Sequence, residues 1–192
     1  KYVFTDWREL ERPSTIIASD ESGVQPVYLH RLENPLPRAW MAYYVSLAED
    51  DAQVLGWLAD PGFDVRTTVI LDRAPALDFP AEAPEGAQVA VEVYEPERIV
   101  LSVDTPADGI LVLSEMYYPG WQAAVDGHRA TIWRANAGLR ALPLTAGQHE
   151  VTLVYRPLSF RLGVVLSLIS LVLLALGMIA GERLSMRSRQ QS

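Results

Sequence analysis

Hydrophobic and polar positions change rhythm along these 192 residues, and each rhythm predicts a different element. Through the second half they alternate with period two: Val89, Val91 and Val93 against Ala90 and Glu92, then Ile99, Leu101 and Val103 against Val100 and Ser102, and later Val151, Leu153 and Tyr155. A strand turns successive side chains to opposite faces, so each run gives one face to a core. Turn formers separate the runs at 106–109, Pro119-Gly120, Asp126-Gly127, 136–138 and Ala146-Gly147. Their spacing of about ten residues predicts an antiparallel β-sandwich over 87–157. The sharpest turn is Asp126-Gly127, between Trp121–Val125 and Arg129–Trp133, because a two-residue hairpin needs positive φ and these residue types tolerate it.

The first half is less regular. Residues 1–26 begin apolar and aromatic and then cluster turn formers, Arg12-Pro13-Ser14-Thr15 and Ser19-Asp20-Glu21-Ser22-Gly23, which reads as a linker or an incomplete element. Residues 27–72 read as a small α/β unit. It comprises a strand at Val27–Leu32, an apolar run at Ala39–Leu47, a short helix at 49–59 and a strand at Val65–Leu71. The helix has an acidic first turn that complements its macrodipole, places Ala52, Leu55 and Ala59 on one face, and stops at Asp60-Pro61-Gly62. Residues 73–86, with Pro75, Pro80 and Pro84 and no apolar period, form a Pro-rich connector and mark a domain boundary. The expected fold class is mainly β.

The last rhythm is no rhythm at all. Residues 162–180 carry no charge, and at 1.5 Å per residue they make a helix roughly 28 Å long, close to the thickness of a bilayer's hydrocarbon core. The expectation is one C-terminal transmembrane helix. Gly163, Ser167, Ser170, Gly177 and Gly181 share a sector, interrupted by Leu174, of the kind that lets helices approach closely in lipid, so other transmembrane helices of the same protein are expected partners beside membrane lipid. Arg183, Arg187 and Arg189 follow the run, against Arg156 and Arg161 before it. This bias places the tail, 181–192, in the cytoplasm and residues 1–161 on the outer side of the membrane. The chain starts at Lys1 with no signal-peptide pattern, so a long translocated segment implies earlier spans and a multi-pass protein.

Charge removes one class of partner. Thirteen basic residues stand against twenty-three acidic ones before Leu162, and an acidic domain is no nucleic-acid binder. There is no cysteine, hence no disulfide or thiolate metal site. His30, His128 and His149 are scattered, no Gly-rich phosphate loop or nucleophile turn occurs, Ser114-Glu115 has no base beside it, and Asp50-Asp51 is explained by opening a helix. No catalytic or metal-binding residue is expected in this stretch, and no cofactor. More suggestive are Tyr118, Trp121, Trp133, Arg134 and Asn136, flat rings among hydrogen-bonding groups, which is the chemistry that holds a sugar. Sandwich-core or membrane-proximal packing would use the same residue types.

Residues 108–163 carry an ordered series of motifs. These are Leu111-Val112-Leu113-Ser114-Glu115-Met116-Tyr117-Tyr118-Pro119-Gly120-Trp121, Val125-Asp126-Gly127, Arg134-Ala135-Asn136, Arg140-Ala141, Ala146-Gly147-Gln148-His149 and Tyr155-Arg156-Pro157 before the apolar run. With Leu36-Pro37-Arg38-Ala39 and Asp60-Pro61-Gly62-Phe63-Asp64 upstream, the series resembles the C-terminal region of YfhO-type bacterial membrane proteins. Its motif residues here are Glu115, Tyr117, Pro119, Gly120, Asp126, Gly127 and Arg140. The resemblance implies a multi-pass protein similar in plan to GT-C glycosyltransferases. Such enzymes draw on a polyprenyl-phosphate-linked sugar and act on cell-envelope polymers. In that plan the catalytic acid lies in an early loop that nothing here matches. The implied role is an accessory domain, with cell-envelope polysaccharide as a partner, or else a non-catalytic structural or protein-interaction module.

Overall fold

The computed structural model describes residues 1–10 and 13–189, with the backbone alone at 161 and 175–189. Among the described residues, fourteen strands and two helices succeed one another. They are β1 (Tyr2–Thr5), β2 (Ser14–Asp20), β3 (Val27–Leu32), β4 (Ala39–Ala42), β5 (Tyr44–Leu47), α1 (Asp51–Ala59), β6 (Thr68–Leu71), β7 (Gln88–Tyr94), β8 (Arg98–Thr105), β9 (Gly109–Met116), β10 (Trp121–Val125), β11 (His128–Ala130), β12 (Trp133–Ala135), β13 (Leu139–Leu144), β14 (Gly147–Tyr155) and α2 (Leu158–Arg189). They build three sheets, ordered β1-β3-β2, β11-β10-β14-β8-β7 and β4-β9-β13-β12-β6-β5. The chain is mainly β, as expected.

The six-stranded sheet overturns the division at 73–86. Strands β4 and β6, from the expected α/β unit, pair with β9 and β12 from the expected sandwich, and β5 pairs with β6. One sheet therefore spans both stretches. The reason is hydrogen bonding: β5 and β6 alone are a two-stranded parallel ribbon, which needs neighbours to be stable. The pairing is also not wholly antiparallel, since β5 and β6 run parallel through α1. That crossover is the expected strand, helix and strand. The Pro-rich stretch connects, but it also covers: Leu77 and Phe79 pack against buried Trp40, Val69, Leu71 and Ile110.

This sheet rolls up. Its terminal members, β4 and β5, are separated in sequence only by Tyr43, so its two ends meet within a few ångströms. Tyr43 and Tyr44 both donate their backbone N–H to Thr67 O at the junction. Trp40, Ala42, Val69, Leu71, Ile110, Val112, Ala135 and Ala141 turn to one face. Ala39, Met41, Leu111, Leu113, Leu142 and Leu144 turn to the other and meet Ile99, Leu101, Val103, Ala123, Val151 and Leu153 of the five-stranded sheet. The sandwich core lies between these two sets. Because both faces of β9 are covered, Gly109 to Leu113 are buried without alternation.

Helix α1 is capped by Asp50, whose side chain accepts from Gln53 N at 2.8 Å while Gln53 Oε1 accepts from Glu49 N. The face it buries differs from the expected one. Val54 is buried with Trp57 and Leu58 beside it, against Ala48 and Ile70, and Leu55 is exposed. The larger side chains win the contact with the sheet.

Residues 1–26, expected as a linker or an incomplete element, supply two strands. Strands β1 and β2 flank β3, so Val27–Leu32 belongs to this sheet and not to the α/β unit. The turn formers at 19–23 mark the end of β2, where Asp20 accepts from Ser22 N at 3.0 Å. His30 is buried here between Ser14 Oγ and Trp7 O.

The backbone from 158 to 189 is one helix, and the described side chains from Leu162 to Leu174 are exposed. Among the described residues no helix is long and apolar enough to cross a membrane. The expected span, 162–180, runs beyond residue 174, so its second part, with Gly177 of the small-residue face, and Gly181 just after it lie outside the described side chains. Residues 190–192 of the expected cytoplasmic tail are likewise outside the described residues.

Candidate functional site

The site begins with an irregularity. In the β9–β13 pairing, Leu113 opposes Arg140 but Met116 opposes Leu139, so Ser114 and Glu115 are extra residues on β9. A bulge of this kind bends a strand and re-aims its side chains. Ser114 N is recovered by Arg38 O at 2.7 Å, and Glu115 is set between the two sheets at the end where β14 leaves for α2. There Glu115 Oε1 accepts the Tyr94 hydroxyl at 2.6 Å and lies 3.4 Å from Arg38. The Arg38 guanidinium stacks over the Tyr94 ring at 4.1 Å. The bond to Glu115 pushes the Tyr94 phenol's pKa up, and burial adds to the shift.

Arg140 is the centre of this end. It shares a face of β13 with Leu142 and Leu144, so its side chain enters the space between the sheets and is only 4% exposed. Its guanidinium lies 3.9 Å over the Trp121 ring, and Nε donates to Met116 O at 2.8 Å. Burial pulls its pKa down, while Glu115 and Tyr94 pull it up. One nitrogen, Nη1, has no hydrogen-bond partner among the described residues. Such a donor is costly to bury, and the stacking on Trp121 and the nearby Glu115 offset it.

Beneath Trp121 the chain locks to the root of the helix. Trp121 and Tyr118 pack on Tyr155 at 5.5 and 6.4 Å between ring centroids. Gly120 has φ +106°, and a Cβ there would lie 2.8 Å from the Tyr155 ring and 3.1 Å from Pro157. Gly120 O accepts from Arg156 N at 2.7 Å. Only glycine fits a backbone held left-handed this close to a ring.

The expected carbohydrate-contact residues are not gathered on one surface. Tyr118 is exposed and Trp121 half-buried in the group just described. Arg134 stands directly across from Arg140 in the β12–β13 pair and faces α1, where it pairs with Asp51. That bond lowers the Asp51 pKa and raises that of Arg134. Asn136 is buried, its Oδ1 accepting from Ile70 N at 2.8 Å, so its amide holds β12 to β6. Trp133 packs against the core inside the rolled sheet, with Arg73 5.1 Å from its ring centroid.

Of the motif residues, Glu115, Tyr117, Pro119, Gly120 and Arg140 fall at the helix-bearing end. Asp126 and Gly127 form the hairpin at the other end of β10, with φ of 52° and 76°. Asp126 Oδ1 accepts from Glu150 N at 2.8 Å and Oδ2 lies 2.7 Å from His149 Nδ1. Sequence reasoning missed Tyr94. Strict alternation puts Val89, Val91 and Val93 on one face, but a bulge between Val91 and Val93 turns Tyr94 inward opposite Ile99. The one signal in the sequence was a tyrosine at the strand's end.

No curated protein and no solved structure matches the chain. A family model described as "Bacterial membrane protein YfhO" matches residues 77–167, which run from the connector through the sandwich and across the Gly120–Pro157 junction into α2, and this part of the chain is similar to that family.

Proposed function

We propose that the sandwich is an extracytoplasmic accessory domain, fastened to the last membrane span of a multi-pass bacterial protein. The observation that carries this reading is the continuity of the family match across the junction, which joins the domain and the helix in one unit. Residues 162–180 form the span. Within it Ser170 Oγ bonds to Leu166 O at 2.9 Å, which satisfies its hydroxyl inside the helix, as lipid requires. The parent protein acts as a lipid-linked-sugar glycosyltransferase or a relative of one, using a polyprenyl-phosphate-linked sugar on cell-envelope polymers. Of the five expected contact residues, Arg134, beside α1, is left to meet the polymer, while Tyr118 and Trp121 pack on Tyr155 at the helix-bearing end. Trp133 and Asn136 contribute to the frame.

Because the sequence has no cysteine, single cysteines report topology without background. An impermeant maleimide added to intact cells should label His128→Cys, and Ser188→Cys only after permeabilisation. The opposite pattern would overturn the orientation. Calorimetric titration of the full chain with envelope oligosaccharides tests the sugar contact; heat that persists unchanged in Arg134→Ala would sink it. A second reading, a structural or protein-interaction module, is favoured by the three-stranded sheet, which leaves Tyr2, Phe4, Ile17 and Val27 exposed.

A further inference from the structure

Three consecutive large apolar side chains, Met116, Tyr117 and Tyr118, are exposed at 68%, 42% and 62%. They lie just past the β9 bulge and border the aromatic group around Trp121. Their place relative to α2 is set by direct contacts. Tyr118 packs on Tyr155, Gly120 abuts Pro157, and the helix starts at Leu158. Leu158 and Phe160, at the root of the helix, are themselves 69% and 71% exposed.

From Leu158 to Leu162, where the uncharged run begins, four residues add about 6 Å of helix rise. The polar layer on one side of a bilayer is about 5–8 Å deep. With Leu162 at the hydrocarbon edge, Leu158 lies within that layer, and the residues packed on 155–157 lie at its surface. Tyrosine suits this zone because its ring is apolar and its hydroxyl is wet, and methionine fits irregular apolar surroundings.

We propose that Met116-Tyr117-Tyr118 is a second membrane contact, a foot by which the helix-bearing end of the sandwich rests in the lipid headgroup layer. It rests on the reading of 162–180 as a span. The contact fixes the tilt of the domain over the membrane, which a single helix attached through Arg156-Pro157 would leave free to rock. It also accounts for three apolar side chains in a row left in the open beside the packed pair of Arg140 and Trp121.

Four single-cysteine variants of the full chain, Met116→Cys, Tyr118→Cys, His128→Cys and Leu171→Cys, carry an environment-sensitive fluorophore in phosphatidylcholine vesicles. Spin labels are placed on the lipid headgroup or deep in the acyl chain. The expected result is blue-shifted emission at 116 and 118, quenched by the headgroup label, with no quenching at 128 and quenching by the deep label at 171. If 116 and 118 match 128 while 171 is quenched, the span stands and the foot is lost. If 171 is also unquenched, the span reading fails first and takes the foot with it.

Discussion

At one end of β10 and β14 the chain reverses through Asp126-Gly127, and the links are short and polar: a carboxylate to a backbone N–H and to a histidine. At the other end, the length of one strand away, a guanidinium is buried under an indole, a second guanidinium lies on a phenol ring, and a glycine is pressed against a tyrosine. The same two strands thus finish in a solvated clasp and in an aromatic plug. The difference lies in the task of each end. The hairpin only has to turn, whereas the plug has to close a core and hold a helix.

Breaking the plug should cost most. Arg140→Ala removes the stacking on Trp121 and leaves Met116 O without its donor, so the full chain in detergent should lose about 2–4 kcal/mol in urea unfolding. Gly120→Ala should come next, with a loss of about 1–3 kcal/mol from left-handed strain and the clash with Tyr155, read as a lowered Tm. An unchanged Tm would mean that the junction is looser than its distances.

The third change should stabilise. Ala137 sits at φ 67° beside Asn136 at 47°, in the turn whose carbonyl at Gly138 accepts from Tyr117 N. Ala137→Gly should relieve the left-handed penalty and gain about 0.5–1 kcal/mol after the entropic cost in the unfolded chain. The smallest effect belongs to the clasp and appears only in acid. The bonds from His149 and from Glu150 N hold the Asp126 carboxyl below its usual pKa of 3.8. Its stabilisation is therefore present above the unfolded-state value and is lost as pH falls through the folded one. Melting curves between neutral pH and acid should fall less steeply in Asp126→Asn. An identical slope would remove the clasp as a contributor.

How far the sequence announced this molecule depends on the range of its interactions. Hairpins and alternating strands are local, so Asp126-Gly127, β8, β10 and β14 were legible, as was the helix capped by Asp50. The rolled sheet was not, because β4 and β5 read as a single apolar run whose halves pair with strands far apart in sequence. Two bulges also defeated the period: one brings Tyr94 inward and the other sets Glu115 against it. Arg140 was visible as a motif residue but not as a buried one. Its burial depends on Trp121, a residue of the opposite sheet. The five expected sugar-contact residues are close in sequence, yet β12 gives Trp133 and Arg134 to opposite faces.

Strand β14 lies in the middle of its sheet, with β8 paired along one side and β10 along the other. A tug on α2 therefore reaches the domain through its most firmly held strand. Pulling on an edge strand peels hydrogen bonds off in succession, but drawing this one lengthwise loads both ladders together, in shear. The helix is a handle bolted to the middle of the plate, and a lateral movement of that helix would be passed to the domain as a rigid-body displacement before the sheet gave way.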